Sequence, residues 1–340
     1  MKKSIFTPIC LLLCLMLLFA GCGTSTDSTA ADGGGAAASD YEHPVKDPFL
    51  TDDVKIAFVA NRASDTVASA WAVGLQRVAD YYSHVTLQVF DGEGSAETQI
   101  SIMADIIEQQ FDCMVIQCVD SAAEDNAVQE VIDAGIPVIS LNIAPTINHA
   151  CKIRSGGYAF GYEAGLLAAE KAGANAKAVV ILRPAASAVA TEDNPVIGFT
   201  DALKENGISI LEEQAGDWTT EKANEITRDY LTKYSDVDIV MCANDAMAAG
   251  AALAIQSAGR ENIQVWGSDG ESKALEYIEQ GLMTGTIYTN FYEMGEFACQ
   301  LSIYAITNSI DLNKQSSYIT YRYPAIVVTA DNVAQITERW

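Results

Sequence analysis

Positive charge is scarce in this sequence, and its scarcity argues against a first broad class of function. The 340 residues include 20 Lys and Arg against 45 Asp and Glu, a formal net charge of −25. A protein that binds a phosphate backbone needs clustered Lys and Arg. We therefore expect no nucleic-acid partner, and the acidity is better suited to a soluble protein outside the cytoplasm.

Groups that commonly build catalytic and metal sites are also few. The three histidines, His43, His84 and His149, have neither triad nor metal-ligand spacing. The sequence contains no C-x-x-C pair and no G-x-S-x-G nucleophile elbow. Gly92-Glu93-Gly94 lacks the third glycine of a dinucleotide fingerprint. We therefore predict a protein that is not an enzyme, with no catalytic residue, metal site or cofactor.

Cysteines beyond the N-terminal region do not suggest a disulfide framework, because they form an odd set in apolar surroundings. We expect small, buried side chains instead. They are Cys113, Cys118, Cys151, Cys242 and Cys299.

The N-terminus predicts export. Lys2 and Lys3 precede an apolar run from Ile9 to Ala20, which is too short for a membrane span and suits a signal-peptide core. The run ends in Gly21-Cys22, which resembles the lipobox of bacterial lipoproteins, although a plain secretory signal with an incidental Cys is the alternative. We predict a lipoprotein signal peptide over 1–21 and acylation of Cys22, which would anchor the protein to the extracytoplasmic side of the cell membrane.

Residues 22–53 then read as a flexible tether. They are rich in Ser, Thr, Ala, Gly and Asp and include the run Gly33-Gly34-Gly35. Such a composition cannot bury enough apolar surface to fold. The segment would act as a flexible spacer between the membrane anchor and the folded part of the chain.

Beyond residue 53 the chain is organised around the stretch Asp236–Gly270. It reads as a buried strand, an Ala-rich helix and a second strand. Asp245 is the predicted N-cap of the helix. The clusters Asn244-Asp245 and Ser268-Asp269-Gly270 follow the two strands, at the strand ends where open α/β sheets place their ligand sites.

This stretch contains the motif A-N-D-x-M-A-x-G-A, followed by a strand and then G-x-D-G. In this it resembles the periplasmic sugar-binding proteins of the ribose-binding type. The same fold serves as the effector domain of bacterial repressors. That reading fails here because the chain is acidic and has no basic N-terminal helix-turn-helix. The resemblance extends from about Val54 to Thr329.

Alternating strand and helix patterns over this range imply right-handed βαβ crossovers and parallel sheets. The pattern pauses at Asn142–Gly157 and then restarts, so we predict two similar doubly wound parallel-sheet lobes. The resemblance implies a hinge of three segments, near Ala144–Gly156, Tyr288–Phe291 and Asn313–Tyr318. One lobe would comprise 54–155 plus 290–316 and the other 156–289 plus 317–340.

The resemblance also implies a ligand site between the lobes, with Trp218 as a stacking surface. Asp65 could accept hydrogen bonds from two hydroxyl groups, or it could merely cap its helix. The candidate ligand-binding residues are Asn61, Asp65, Asn142, Asp193, Trp218, Asn244, Asp269 and Thr289.

Departures from the family pattern bear on the ligand. Ribose binders carry two adjacent aromatics where this chain has Val67 and Ala68, and family members place an Arg where the chain between Pro184 and Leu203 has no Arg or Lys. A pocket with several carboxylates and no guanidinium group is a poor host for an anion. The expected ligand is a neutral polyhydroxy compound such as a sugar or polyol, or one with an amine.

The resemblance implies a monomeric solute-binding protein of an ABC importer, which closes on its ligand and delivers it to a membrane permease. A sensory receptor that signals to a membrane kinase or chemoreceptor would bind its ligand by the same physics. A surface hydrolase is the third reading, and it would need a base and a nucleophile that the sequence does not offer.

Overall fold

The apolar strand segments form two separate sheets. The computed structural model describes residues 53–185, 193–307 and 319–340. The predicted signal peptide, Cys22, almost the whole tether and the predicted hinge crossing at Asn313–Tyr318 lie outside these ranges. The first sheet, in spatial order, contains β11 (Ile319–Tyr323), β5 (Cys151–Ser155), β4 (Val138–Leu141), β3 (Cys113–Ile116), β1 (Val54–Ala60) and β2 (Val85–Asp91). The second contains β12 (Ile326–Thr329), β10 (Gly285–Tyr288), β9 (Gln264–Trp266), β8 (Ile239–Cys242), β6 (Lys177–Leu182) and β7 (Ser209–Ala215).

Every neighbouring pair of strands is parallel except β10 and β12, which pair antiparallel at the edge of the second sheet. Helices cover both sheets. The first lobe has α1 (Thr66–Tyr81), α2 (Ala96–Glu108), α3 (Asp125–Asp133) and α9 (Phe291–Thr307). The second has α4 (Tyr158–Ala172), α5 (Pro195–Glu205), α6 (Thr220–Lys233), α7 (Asp245–Ser257) and α8 (Ser272–Glu279). The predicted pair of doubly wound lobes is confirmed.

The inner strands of each sheet, such as β3 and β8, are buried on both faces, which explains why they are continuously apolar. Phe58 of β1 packs in a cluster with Trp71 of α1 and Phe291 of α9. Its neighbour Val59 points the other way and packs with Met103 of α2. Successive residues of a strand thus pack against helices on opposite faces of the sheet, and this packing fixes the positions of the strand ends.

The five cysteines of the described chain are free and buried, as predicted. Among the described residues, no helix has the length and apolar character that crossing a bilayer requires.

The chain passes between the lobes at three places. After β5 it crosses at Gly156-Gly157, where both glycines have positive φ, and after β10 it returns to the first lobe between Tyr288 and Phe291. The last crossing follows β11, between Tyr323 and Ile326. Parallel pairing of β11 with β5 therefore corrects the prediction that 317–340 belongs wholly to the second lobe. The largely exposed edge strand β11 has no apolar run that the sequence could reveal.

One further strand lies inside the pause predicted at Asn142–Gly157. This strand, β5, is short and carries Lys152 and Arg154 among its apolar residues, so its pattern is weak. It is central to the site, because its charged side chains point toward the second lobe.

Candidate ligand-binding site

A cavity of about 270 Å³ lies between the lobes, at the carboxyl ends of both sheets. This volume suits one small molecule, since pockets for drug-sized ligands are roughly 300–1,000 Å³. Seven of the eight predicted residues line the cavity: Asn61, Asp65, Asn142, Asp193, Trp218, Asn244 and Asp269. Their roles as ligand contacts remain predictions.

The eighth, Thr289, does not reach the cavity, which corrects that prediction. Its backbone N–H donates to the Asp269 carbonyl at 2.9 Å, and its own carbonyl accepts from the Trp340 indole at 3.0 Å. Thr289 is 2% exposed and supports the backbone of Asp269 from behind. It follows β10, and β10 holds the loop after β9 through main-chain bonds.

Asp245 organises that loop rather than capping its helix, contrary to the sequence prediction. Its buried carboxylate accepts hydrogen bonds from the backbone N–H groups of Gly270 and Glu271, at 2.7 and 2.9 Å, and from the Thr286 hydroxyl at 2.6 Å. A Cβ at Gly267 would collide with this carboxylate, so glycine is required there. Burial raises the pKa of Asp245 to about 6, while the three hydrogen bonds oppose the shift.

The N-cap of α7 is Asn244, whose Oδ1 accepts from the backbone N–H of Met247 at 3.0 Å. Its amide nitrogen donates to the Trp218 carbonyl at 3.5 Å. One side chain therefore ties the start of α7 to the loop that carries the predicted stacking residue. Asn142 has a similar role in the first lobe, where its Oδ1 accepts from the Ser155 N–H at 2.8 Å.

Trp218 is held in a strained loop before α6. Its φ is +63° and that of Asp217 is +52°. Left-handed backbone in a bulky residue is uncommon and costs of the order of 1–3 kcal/mol, and such strain concentrates at functional sites. The half-buried ring packs partly on the core and lines the cavity, as a stacking surface requires.

Asp269 is strained as well, with a φ of +124°. Its N–H donates to the Ile287 carbonyl at 2.9 Å, so β10 fixes both sides of the residue. Burial is the largest cause that raises the pKa of its carboxyl well above the usual value, followed by repulsion from Asp245 and Glu271.

Glu271 lines the same part of the cavity and was missed by the sequence analysis. Burial, then repulsion from Asp245 and Asp65, raises its pKa to about 8. Asp65, across the cleft on the first lobe, stands at the N-cap position of α1 as its alternative predicts, but its side chain makes no capping hydrogen bond and lines the cavity instead. Its carboxylate lies 3.7 Å from the Arg62 guanidinium. We call Asp65, Asp269 and Glu271 the acidic wall.

Asp193 is surrounded quite differently. It belongs to the second lobe, and its Oδ2 lies 3.6 Å from both Lys152 Nζ and Arg154 Nε of β5. Its Oδ1 accepts from Arg322 Nε of β11 at 3.1 Å, and Arg322 Nη2 lies 3.0 Å from the same oxygen. We call these four residues the ion-pair cluster, and it joins the two lobes directly.

Two guanidinium groups line the cavity, which corrects the expectation that it has none. Arg154 is 3% exposed and comes from β5, whereas Arg183 follows β6 and its pKa is lowered by burial. Neither falls in the loop between Pro184 and Leu203 where the family pattern places an Arg. The rule that ligands meet the carboxyl ends of strands could have found both, had β5 been recognised.

Among the described residues, no group of His, Cys, Asp and Glu is arranged to hold a metal ion. The acidic wall is thus a set of carboxylates at the surface of an organic-sized cavity. Its chemistry is that of a hydrogen-bond acceptor, and a carboxyl group that holds its proton also donates.

Comparison with known proteins agrees with this architecture. Residues 56–309 match the model of the periplasmic binding protein domain. The ribose import binding protein of Escherichia coli is 29% identical over 233 residues, which cover 68% of this chain and 78% of that protein.

Solved structures share the fold. A Caulobacter myo-inositol binding protein bound to myo-inositol has a TM-score of 0.75 at 22% identity, and the match covers 85% of this chain and 97% of that one. A solute-binding protein of Actinobacillus succinogenes with bound D-allose has a TM-score of 0.71 at 24% identity, over 83% and 100% of the two chains.

The chain therefore belongs to the periplasmic binding protein family. This is a family of ligand-binding transport proteins that act outside the cytoplasm, so the predicted family, the extracytoplasmic location and the absence of enzymatic function are confirmed.

Proposed function

We propose that the protein is the solute-binding lipoprotein of an ABC importer and that it captures a sugar or polyol in the cavity between its lobes. The observation that carries the proposal is this cavity, which is built from strand ends of both sheets and presents Trp218 beside Asn61, Asn142 and Asn244. An aromatic face with amide and carboxylate groups around it is suited to a compound with many hydroxyls.

The named relatives bear on the choice of ligand class. The matched Escherichia coli protein is a ribose import binding protein, and the similar solved structures hold myo-inositol and D-allose. These are small neutral compounds with several hydroxyl groups. The cavity of about 270 Å³ is of a size for such molecules.

Closure couples binding to delivery. Because the cavity has walls on both lobes, a ligand makes all its contacts only when the lobes meet, and binding shifts the hinge equilibrium toward the closed form. The closed form would dock as a monomer on a membrane permease. Two acyl chains on Cys22 would keep it near that partner, since each buried methylene contributes about 0.8 kcal/mol.

The proposal predicts that a sugar or polyol raises the melting temperature of the domain from residue 53 onward and changes its tryptophan fluorescence. Trp71, Trp266 and Trp340 are buried in the cores, so Trp218 should report the ligand. Trp218→Phe should retain binding and lose most of the signal, whereas Trp218→Ala should weaken binding about tenfold. No response to a panel of sugars and polyols would contradict the proposal.

The lipid anchor has its own test. Globomycin-sensitive processing and metabolic labelling with a fatty acid should occur in the full chain and be lost in Cys22→Ser. Secretion of an unlabelled wild-type protein would contradict the anchor while leaving the ligand proposal intact.

A further inference from the structure

The acidic wall lines the cavity, and its two carboxyl groups on the second lobe have no cationic partner within the described part of the protein. The side chains of Asp269 and Glu271 have no hydrogen-bond or ion-pair partner in the part of the chain that the structure describes. The charged groups that act on Asp269 are Asp245 and Glu271, and those that act on Glu271 are Asp245 and Asp65, all of them acidic. Arg62 lies beside Asp65 but does not reach the two residues of the second lobe.

We propose that the ligand carries a cationic amino group, as in an amine-bearing sugar or polyol, and that Asp65, Asp269 and Glu271 bind this group. The inference rests on the proposed function, because it assigns a chemical class to the ligand of the same cavity. It makes Glu271 a specificity-determining residue.

The placement of the wall across the cleft favours a cation over a neutral ligand. Asp65 belongs to the first lobe, and Asp269 and Glu271 belong to the second, so closure brings three carboxyl groups together, and ionisation of Asp269 and Glu271 is disfavoured without a cation. Repulsion between charges grows as water leaves the cavity. A hydroxyl group can donate one hydrogen bond to this wall, whereas an ammonium group has three donors and its charge stabilises the ionised carboxylates that burial disfavours.

The two arginines that line the cavity, Arg154 and Arg183, do not pair with the acidic wall. Arg154 is bound to Asp193 within the ion-pair cluster. Arg183 follows β6, which is separated from β9 by β8, and two strand spacings of about 4.8 Å put its backbone roughly 10 Å from β9, the strand that precedes Asp269. The ligand would thus place its amine at the acidic wall and its hydroxyls toward Trp218 and the asparagines.

Isothermal titration calorimetry with matched ligand pairs tests the inference. The probes are myo-inositol and D-allose, their single amino-deoxy derivatives, and the N-acetyl forms of those amines, which keep the nitrogen and lose its charge. At pH 7.5 the best amine should bind at least tenfold more tightly than its parent polyol and than its N-acetyl form. Repeating the titration in two buffers of different ionisation enthalpy should show that the amine releases more protons than the polyol, because the ammonium group displaces protons held by Asp269 and Glu271.

Variants that replace a carboxyl group of the acidic wall with a neutral amide provide the second test of the inference. Glu271→Gln and Asp269→Asn should each reduce the amine-to-polyol affinity ratio about tenfold or more, and a folded Glu271→Gln is sufficient if Asp269→Asn does not fold. Glu261→Gln, an exposed position before β9, is the matched control and should keep the ratio.

Two results would overturn the inference and are distinguishable. If a polyol binds as tightly as each of its amines, the ligand is neutral and the proposed function stands without the amine. If no member of any series binds, the inference and the sugar or polyol assignment both fail.

Discussion

Asp193 and Asp269 are both aspartates of the second lobe that line one cavity, and the fold treats them in opposite ways. Asp193 is in contact with three cations of the first lobe, all of them on β5 or β11. Asp269 faces only other carboxylates, and its backbone is strained. The first arrangement is complete without a ligand, and the second is completed by one. The ion-pair cluster therefore acts in closure, and the acidic wall acts in recognition.

The largest effect is expected when the ion-pair cluster is broken, because its charges are already paired without a ligand. Asp193→Ala would leave Lys152 and Arg154 without their carboxylate in the closed form, and breaking a buried ion pair costs about 3–5 kcal/mol. The lobes can avoid this cost by opening, so ligand affinity should fall by a factor of about 100 or more and small-angle scattering should show a larger radius of gyration. The exposed Asp229→Ala is the control. An unchanged radius and affinity would mean that the cluster does not hold the lobes together.

A smaller effect is expected at the acidic wall, where a neutral substitution should stabilise the ligand-free protein. Burial and neighbouring carboxylates raise the pKa of Asp269, which means that the ionised form is disfavoured in the folded protein. Asp269→Asn should therefore increase the free energy of unfolding of the ligand-free protein at pH 7.5, although it impairs binding. Urea denaturation with and without ligand measures both. Loss of ligand-free stability would instead make the Asp269 side chain structural.

The contrast between the two aspartates also marks how far the sequence could predict the site. Strand ends that follow apolar runs are visible in a sequence, and the resemblance to ribose-type binding proteins indicated which side chains near them to expect in the site, so seven of the eight predicted residues line the cavity. The partners of a carboxylate are not visible when they come from distant strands. Arg322 is 129 positions from Asp193 along the chain, and it lies beside Arg154 only because β11 pairs with β5.

The strands and helices are easier to predict from the sequence than the places where the chain crosses between the two lobes. Buried strands such as β8 have continuous apolar runs, and helices such as α1 have clear periodicity. The short β5 and the exposed β11 have neither, and together they determine where the chain crosses between the lobes. Asp245 was misassigned for a related reason. Its partners are on the loop after β9 and on β10, and a local capping rule cannot include them.

The smallest predicted effect is a pH dependence that belongs to the acidic wall. The pKa of Glu271 is raised from the usual 4.5 to about 8, and that of Asp245 from 3.8 to about 6. The folded protein thus holds more protons than the unfolded chain over this interval, and its stability should fall as the pH rises from about 5 to about 8. Because Glu271 is partly accessible to water, its share between pH 6 and pH 8 is expected to be about 1 kcal/mol.

Glu271→Gln should reduce the slope between pH 6.5 and pH 8 without abolishing it, because the pKa of Asp269 is raised as well, and should leave the decline below pH 6, which comes from Asp245. Chemical denaturation of the ligand-free protein across this range measures the slope, and Glu261→Gln should retain it despite the same change in net charge. A wild-type stability that is constant or rises toward pH 8 would mean that water or a protein cation already neutralises the acidic wall. The contrast with Asp193 would then disappear, because both aspartates would be compensated before any ligand arrives.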